Sequence, residues 1–374
     1  MRALATLPVL TLEGTLADMG IEYGKAMSSL ISTNLDDYLR RFRDVAHLSD
    51  ADVRRWGEVY RKATHEYKAS IGEMLEGVAA GSGHSPAHIF ALNARTEILY
   101  STQDRDDGCT SLALLPSHTS SHHTLLGQNW DWHPEQRSVM LLLATRELDG
   151  FTVFTLAEAG MLAKTGLNSN GLGLCANLLV SDRDRGGDGV PYHILLRGVL
   201  ESRTMADAIR RAVGYPRISS GNFLLADAGG EAIDLEAAPG DFGYLLPQQG
   251  MIAHSNHFLT NVPVFDRRKA FSALTLLRPE RARHLLAHVL DARKVGVDDL
   301  RAVFRDHYSY PNGICRHVDD RDAPYDRVCS VFSIVMDLDA REFSIAEGPP
   351  CEHDYVSVSL DALFRKEVAG QRSY

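Results

Sequence analysis

The hydrophobic period of this chain changes near residue 108, and that change limits the folds open to it. Before it, Met19, Tyr23, Met27, Leu30, Ile31, Leu35, Tyr38, Leu39 and Phe42 keep to one helical face. Helical patterns recur around 53–67 and 71–79, after an opening strand. Ser85-Pro86 reads as an N-cap with proline at the first helical position and predicts a helix to about Tyr100. From 109 onward, strands are expected near 111–115, 124–129, 138–146, 151–157, 162–167 and 171–178. Helices near 191–201 and 204–213 follow, the second capped by Thr204, and then strands near 222–227, 231–237 and 251–255. Helices near 266–276, 279–290 and 297–307 precede closing strands near 328–337 and 342–347. Runs of strands followed by runs of helices predict an α+β fold in which helices cover sheets, rather than βαβ winding. The chain divides into a mostly helical segment, 1–108, and a core, 109–374, with no internal repeat or low-complexity linker.

Bulk properties exclude several classes. A chain of 374 residues with 44% hydrophobic content can bury a full core. A net charge of −10 without a basic cluster argues against a nucleic-acid partner. The N-terminus lacks a secretory cleavage signal, and no apolar run approaches the about 18 residues of a membrane span. Five cysteines without a framework spacing suit a reducing compartment, so the expected location is cytoplasmic, with no membrane partner. Arg372-Ser373-Tyr374 is not a peroxisomal tripeptide. Cys175, Cys315, Cys329 and Cys351 form no C-x-x-C pair, which leaves zinc and thioredoxin-like readings without support. Neither a metal nor a resident cofactor is expected, and homo-oligomerisation stays open.

The chemistry centres on Asp107-Gly108-Cys109-Thr110-Ser111, a cysteine directly behind a glycine at a loop-to-strand junction. Glycine lets backbone approach backbone, so the thiol could attack the Gly108 carbonyl and the thioester could hydrolyse. Cys109 would then be a new N-terminus, with an α-amine of pKa about 7.7–8.0 as the base for its own thiol. The plain alternative is a buried core cysteine beside a turn glycine. Downstream, Thr124-Leu125-Leu126-Gly127-Gln128-Asn129-Trp130-Asp131-Trp132 reads as a strand pairing back on 111–115. Its alternation puts Asn129 and Asp131 on one face and Trp130 and Trp132 on the other. Asp131 could then hold a nascent ammonium on Cys109, or serve simply as a turn acid.

Asp-Gly-Cys-Thr-Ser followed by Gly-Gln-Asn-Trp-Asp-Trp resembles the isopenicillin N acyltransferase (acyl-CoA:6-aminopenicillanic acid acyltransferase) family of autoproteolytic N-terminal-nucleophile cysteine hydrolases and acyltransferases. The likeness continues through Glu158-Ala159-Gly160, Lys164 to Gly173, Asn177, Gly189 to Ser202, His254-Ser255-Asn256-His257, Tyr310 to Arg316 and Arg327 to Asp337. The resemblance implies an αββα four-layer sandwich with a helical N-terminal pro-segment. It implies a zymogen cut between Gly108 and Cys109 into chains 1–108 and 109–374. Cys109 would be the nucleophile, Asp131 the support of its amine and Asn256 the oxyanion donor. Asn177 would be a further polar site residue and Arg327 a functional arginine. Gln128 stands where related bile salt hydrolases and penicillin V acylases carry an arginine, a departure that leaves a carboxylate-binding or pKa-tuning role at that position open.

The same residues keep plainer readings. Asn256 fits an oxyanion donor, worth about 2.7–4 kcal/mol in such sites, or a loop cap. Arg327 fits thiol tuning, carboxylate binding or a structural ion pair. His254 and His257 have a spacing that would suit a metal on a helix, yet they lie at a strand end without further ligands. His118, His122 and His123 read as a solvated turn. The expected activity is self-processing followed by hydrolysis of a small N-acyl amide or peptide through an acyl-Cys109 intermediate. The substrate partner is thus a small-molecule amide or thioester, and the two cleaved chains are each other's partners. Acyl-CoA-dependent N-acyl transfer, with acyl-CoA as co-substrate, is one alternative, and a non-processing ligand-binding relative is another.

Overall fold

A computed structural model of the chain describes residues 2–4, 7–100, 108–271 and 273–365. Asp107 and the C-terminal tripeptide lie outside the described residues. Two sheets form the centre. The first runs Arg2–Leu4, Leu7–Glu13, Met140–Arg146, Thr152–Glu158, Gly166–Asn168, Leu172–Leu178, Gly221–Asp227, Ala232–Ala238 and Asp241–Leu245 in spatial order. The second runs Met251–His254, Gly108–Leu114, Leu125–Trp132, Cys329–Asp337, Glu342–Glu347 and Val356–Ser359.

Alternation along the strands sorts side chains into layers. Leu142 and Ala144 join Phe154, Leu224, Ala113, Leu126 and Ile334 in the core between the sheets. Their neighbours Leu141 and Leu143 point outward, against Met19, Met74 and Leu195 of the helices Leu16–Ala26, Ala69–Ser82 and Tyr192–Leu200. On the far side, Leu112, Leu114 and Leu125 pack on Ala282, Leu286 and Phe304 of the helices Arg278–Leu290 and Val297–Phe304. The order is helix, sheet, sheet, helix, the αββα sandwich that the resemblance implied. The central strands of both sheets are covered on both faces, so they are buried along nearly their whole length, polar residues included.

Local differences from the expected elements have physical causes. The helical face spanning 19–42 is carried by two helices, Leu16–Ala26 and Ser28–Asp44, broken at Met27 with φ −114° and ψ 17°. The first of these lies against Ala69–Ser82 at backbone contact: a Cβ on Gly20 would stand 2.1 Å from the Met74 carbonyl oxygen. The helix opened by Pro86 pauses at Ala94 and resumes as Arg95–Tyr100. The strands Asp241–Leu245 and Val356–Ser359 were not expected, because both are largely exposed edge strands without a buried apolar face. Thr204 caps its helix as expected, accepting from the Asp207 N–H.

The 1–108 segment is not merely helical. Its strand Leu7–Glu13 pairs in parallel with Met140–Arg146, so the start of the chain is built into the first sheet. Among the described residues no helix is long and apolar enough to cross a membrane.

Candidate active site

The strand Gly108–Leu114 pairs antiparallel with Leu125–Trp132, in a register that sets Gly108 opposite Asp131 and Cys109 opposite Trp130. Side chains on directly opposed residues share a face, so Asp131 stands over Gly108 while Cys109 points with Trp130 into the space between the sheets. A side chain at 108 would crowd the charged groups around the junction. A Cβ there would come 2.8 Å from Asp131 Oδ2 and 3.3 Å from both terminal nitrogens of Arg278.

Polar groups grip the Gly108-Cys109 junction from several directions. The Cys109 backbone N–H donates to Asn256 Oδ1 at 2.7 Å. Arg278 donates through Nη1 to the Cys109 carbonyl at 2.7 Å and to Thr110 Oγ1 at 3.1 Å, and through Nη2 to Asn256 Oδ1 at 2.9 Å. Arg278 Nη1 also lies 3.7 Å from Asp131 Oδ2, and Ser330 Oγ donates to Asp131 Oδ1 at 2.7 Å. The orientation of the Asn256 amide follows from these partners. Cys109 N and Arg278 offer only protons, so Oδ1 faces them, and Nδ2 donates to the Leu178 carbonyl at 3.0 Å. Nδ2 carries a second N–H beyond that bond.

Burial, followed by the charge of Asp131, pushes the Cys109 thiol up to about 11, against the opposing pull of Arg278 and Lys164. A buried thiol of that pKa is a poor nucleophile near neutrality and needs a base beside it.

A cavity of about 50 Å³ opens at the thiol, lined by Cys109, Trp130, Trp132, Leu178, Tyr192 and Lys164 among others. Glu158 is buried behind it and takes Lys164 Nζ at 2.7 Å, Arg95 at 3.0 Å and the Tyr38 hydroxyl at 2.6 Å. Burial alone would raise the Glu158 pKa, but Arg95 and Lys164 hold it down to about 2. Burial and then Arg95 bring Lys164 down to about 8, and its ammonium sits 3.9 Å from the Trp130 ring centre. The cavity wall by the thiol therefore combines aromatic faces with a cation of readily lowered pKa.

The sequence-predicted residues divide. Cys109, Asp131 and Asn256 come together around the junction. Asn177 lies one step removed: its Nδ2 donates to Ser111 Oγ at 2.7 Å, and its Oδ1 accepts from Gln128 Nε2 at 3.0 Å. Gln128 is a tie between the sheets, donating also to the Ala176 carbonyl and accepting from Thr165 Oγ1 and the Ala176 N–H.

Arg327 does not reach the site. Cys329 pairs with Trp132 and Ser330 with Asp131, so Arg327 falls beyond the end of the Leu125–Trp132 strand. Its guanidinium is 38% exposed and binds the Asp320 and Asp322 carbonyls at 3.4 Å and the Asp320 carboxylate at 3.7 Å. The guanidinium at Cys109 belongs to Arg278 instead, which the sequence reading missed. One signal was available. Arg278 opens a helix, with Pro279 behind it, and a cation at a helix N-terminus opposes the macrodipole unless another interaction outweighs it.

His254 is structural. Its Nε2 pairs with Glu236 Oε1 at 2.7 Å and its Nδ1 with the Ser255 carbonyl at 2.8 Å, both groups fully buried. Glu236 also accepts from the Leu259 and Thr260 N–H groups and so anchors the loop that carries Asn256. Burial disfavours the imidazolium, but Asp234 and Glu236 outweigh it and raise the His254 pKa. Burial likewise disfavours the Glu236 carboxylate, and His254 outweighs it and lowers that pKa. The His254 contribution to stability is complete below its unfolded value of about 6.5 and fades as pH rises through the higher folded value. Glu236 contributes above about 4.3 and loses its part as pH falls through its lower folded value. His254→Leu strands a buried carboxylate and is expected to destabilise the fold by about 3–5 kcal/mol, read by urea titration at neutral pH. A change under about 1 kcal/mol would refute the pairing.

The helix–sheet–sheet–helix layers, with a Gly-Cys peptide at a strand end, give the chain the N-terminal-nucleophile fold. The sequence model of the acyl-coenzyme A:6-aminopenicillanic acid acyl-transferase family matches residues 118–350, well over half of the chain. This protein belongs to that family. It is 25% identical, over 346 residues and 92% of its length, to the 40 kDa form of acyl-coenzyme A:6-aminopenicillanic-acid-acyltransferase of Emericella nidulans, of which 93% is covered. Among solved structures, it is similar to a Caenorhabditis elegans orthologue of N-acylethanolamine-hydrolyzing acid amidase. That match has TM-score 0.46 and 15% identity, over 62% of this chain and 93% of that one. A mutant of the conjugated bile acid hydrolase of Clostridium perfringens matches with TM-score 0.48 and 12% identity, over 68% of this chain and 93% of that one.

Proposed function

We propose that the chain cuts itself between Gly108 and Cys109 and then acts as a cysteine amidohydrolase on a small N-acyl amide or short peptide. The observation that carries this reading is the hold on the peptide itself: Asn256 takes the Cys109 N–H at 2.7 Å, and Arg278 and Asp131 crowd Gly108. In self-cleavage the Cys109 sulfur bonds to the Gly108 carbonyl carbon, the C–N bond breaks, and the nitrogen leaves protonated as the new amine. Water then hydrolyses the thioester, giving a Gly108 carboxylate and a free Cys109 thiol.

In turnover that amine is the missing base. It takes the thiol proton as sulfur attacks the substrate carbonyl, and passes it to the departing amine. Asn256 Nδ2 donates to the oxyanion, while its Oδ1 and Asp131 orient the amine. The acyl group remains on Cys109 until water removes it. Chains 1–108 and 109–374 stay together, because Leu7–Glu13 is a strand of the first sheet. The cavity at the thiol, about 50 Å³, is far below the roughly 300 Å³ of ordinary ligand sites.

Acyl transfer from acyl-CoA to an amine is the second reading, favoured by the activity for which the Emericella nidulans relative is named, over 92% of this chain. The test is the mass of the 109–374 chain after brief exposure to amide and acyl-thioester substrates, with and without an amine acceptor. An added acyl group lost to water supports hydrolysis, and one delivered to the acceptor supports transfer. No acyl adduct with any substrate would count against both and favour a non-processing binder.

Asn256→Ala is expected to lower kcat about 10²–10³-fold, as for loss of one oxyanion donor, with KM little changed. A matching rise in KM with kcat intact would instead make Asn256 a substrate-binding residue.

A further inference from the structure

We propose that His307, Cys315, His317 and Cys351 form a tetrahedral zinc site in the loops on the helix side of the second sheet. The sequence shows no such motif, because the four residues come from two separate connections, 305–323 and 348–355, and carry no C-x-x-C spacing. The fold brings them together: one ligand atom from each lies within 4.8 Å of every other. Cys315 Sγ and Cys351 Sγ are 3.5 Å apart. His317 Nε2 is 3.6 Å from Cys315 Sγ, 3.3 Å from Cys351 Sγ and 3.1 Å from His307 Nε2. Zinc with Zn–S of about 2.3 Å and Zn–N of about 2.0–2.1 Å places tetrahedral ligand atoms roughly 3.3–3.8 Å apart. Four of the six spacings, 3.1–3.6 Å, are close to those of a cage of that size, and the two from His307 to the cysteines stay within 4.8 Å. Two sulfurs and two imidazoles in a tetrahedron select zinc over hard cations.

The surroundings are organised for ligation. His317 turns its metal-facing Nε2 inward while its Nδ1 lies 3.3 Å from Glu352 Oε1, the carboxylate–histidine arrangement that fixes a zinc ligand's tautomer and raises its basicity. The Cys315 N–H donates to the Asp306 carbonyl at 3.0 Å, which seats Cys315 beside His307, and Arg305 Nε donates to the Pro350 carbonyl at 2.7 Å, which draws in the Cys351 loop. Tyr310 packs its ring on both imidazoles, at 5.9 and 5.1 Å.

Four protein ligands leave no open position, so the site is structural, not catalytic. It also touches the active site through the chain. Arg316, between two of the ligands, is bonded twice to Ser330, its N–H donating to Ser330 Oγ at 3.0 Å and its carbonyl accepting the Ser330 N–H at 2.9 Å. Ser330 Oγ in turn donates to Asp131 at 2.7 Å. Binding releases the two thiol protons to solvent and fixes the loops at that end of the Asp131 chain.

The test uses the full chain, purified untagged under reducing conditions, with zinc measured by elemental mass spectrometry and Co²⁺ as the spectroscopic probe. About one zinc per chain is expected, and cobalt should give the visible bands of a tetrahedral ion with a thiolate charge-transfer band. Cys351→Ser, at an exposed position, should abolish that charge-transfer pattern or cut it back to one thiolate. Glu352→Gln should weaken zinc binding about 10–100-fold. Cys109→Ala should leave the spectrum unchanged. Absence of zinc together with no tetrahedral cobalt spectrum would overturn the site. So would peptide mapping that finds Cys315 and Cys351 joined as a disulfide in the reduced preparation, or a cobalt spectrum untouched by Cys351→Ser.

Discussion

Cys109→Ala is expected to yield one uncut chain of 374 residues, where the wild type gives two fragments ending at Gly108 and beginning at Cys109. The variant is also expected to lose all turnover. Both effects follow from one atom, since in the proposed mechanism the same sulfur attacks the Gly108 carbonyl and later the substrate. Intact mass under denaturing conditions reads the first effect, and amide or thioester turnover reads the second. The fold should survive, because the cysteine is one small buried side chain in a large shared core, and a melting curve near that of the wild type checks this. A variant that still splits at Gly108 would place the nucleophile elsewhere. An uncut wild type would deprive Cys109 of its base, with the thiol left at about 11. In the cleaved enzyme, turnover is expected to rise with pH through the amine's range of about 7.7–8.0, not through that of the buried thiol.

The second large effect belongs to Arg278. Its planar fork holds the Cys109 carbonyl, Thr110 Oγ1 and Asn256 Oδ1 at 2.7–3.1 Å, and these bonds point in different directions. A lysine would keep the charge as a single point and lose that geometry. Arg278→Lys is therefore expected to fold while slowing self-cleavage by about 10²-fold or more, the scale that misplacement of a reacting group produces. Arg278→Met removes the cation facing buried Asp131 and is expected to cost about 3–5 kcal/mol of stability as well. Band conversion on denaturing gels gives the rate and urea titration gives the stability. Wild-type processing in Arg278→Lys would reduce the arginine to a mere buried counter-ion.

Chemistry written in contiguous residues was legible before the fold was known. Gly108 and Cys109 are neighbours, Asp131 follows along one hairpin, and strand alternation puts Asp131 in register with Gly108. Asn256 was reached through a local motif. Arg327 was misplaced for a physical reason: one strand register decides which residue faces Asp131, and that residue is Ser330. The exposed edge strands were missed because main-chain pairing, rather than an apolar period, holds them in place.

The order of hydrophobic periods pointed to an α+β fold, and the Gly-Cys junction with the motifs after it carried the resemblance that implied the αββα sandwich and the proposed nucleophile, because each rests on residues close together in the chain. Arg278, the Arg95–Glu158–Lys164 cluster and the four-residue sulfur–imidazole cage were decided only in three dimensions. Each draws on segments tens of residues apart, and the charges and thiols acquire their chemistry from desolvation and partners that no local spacing encodes.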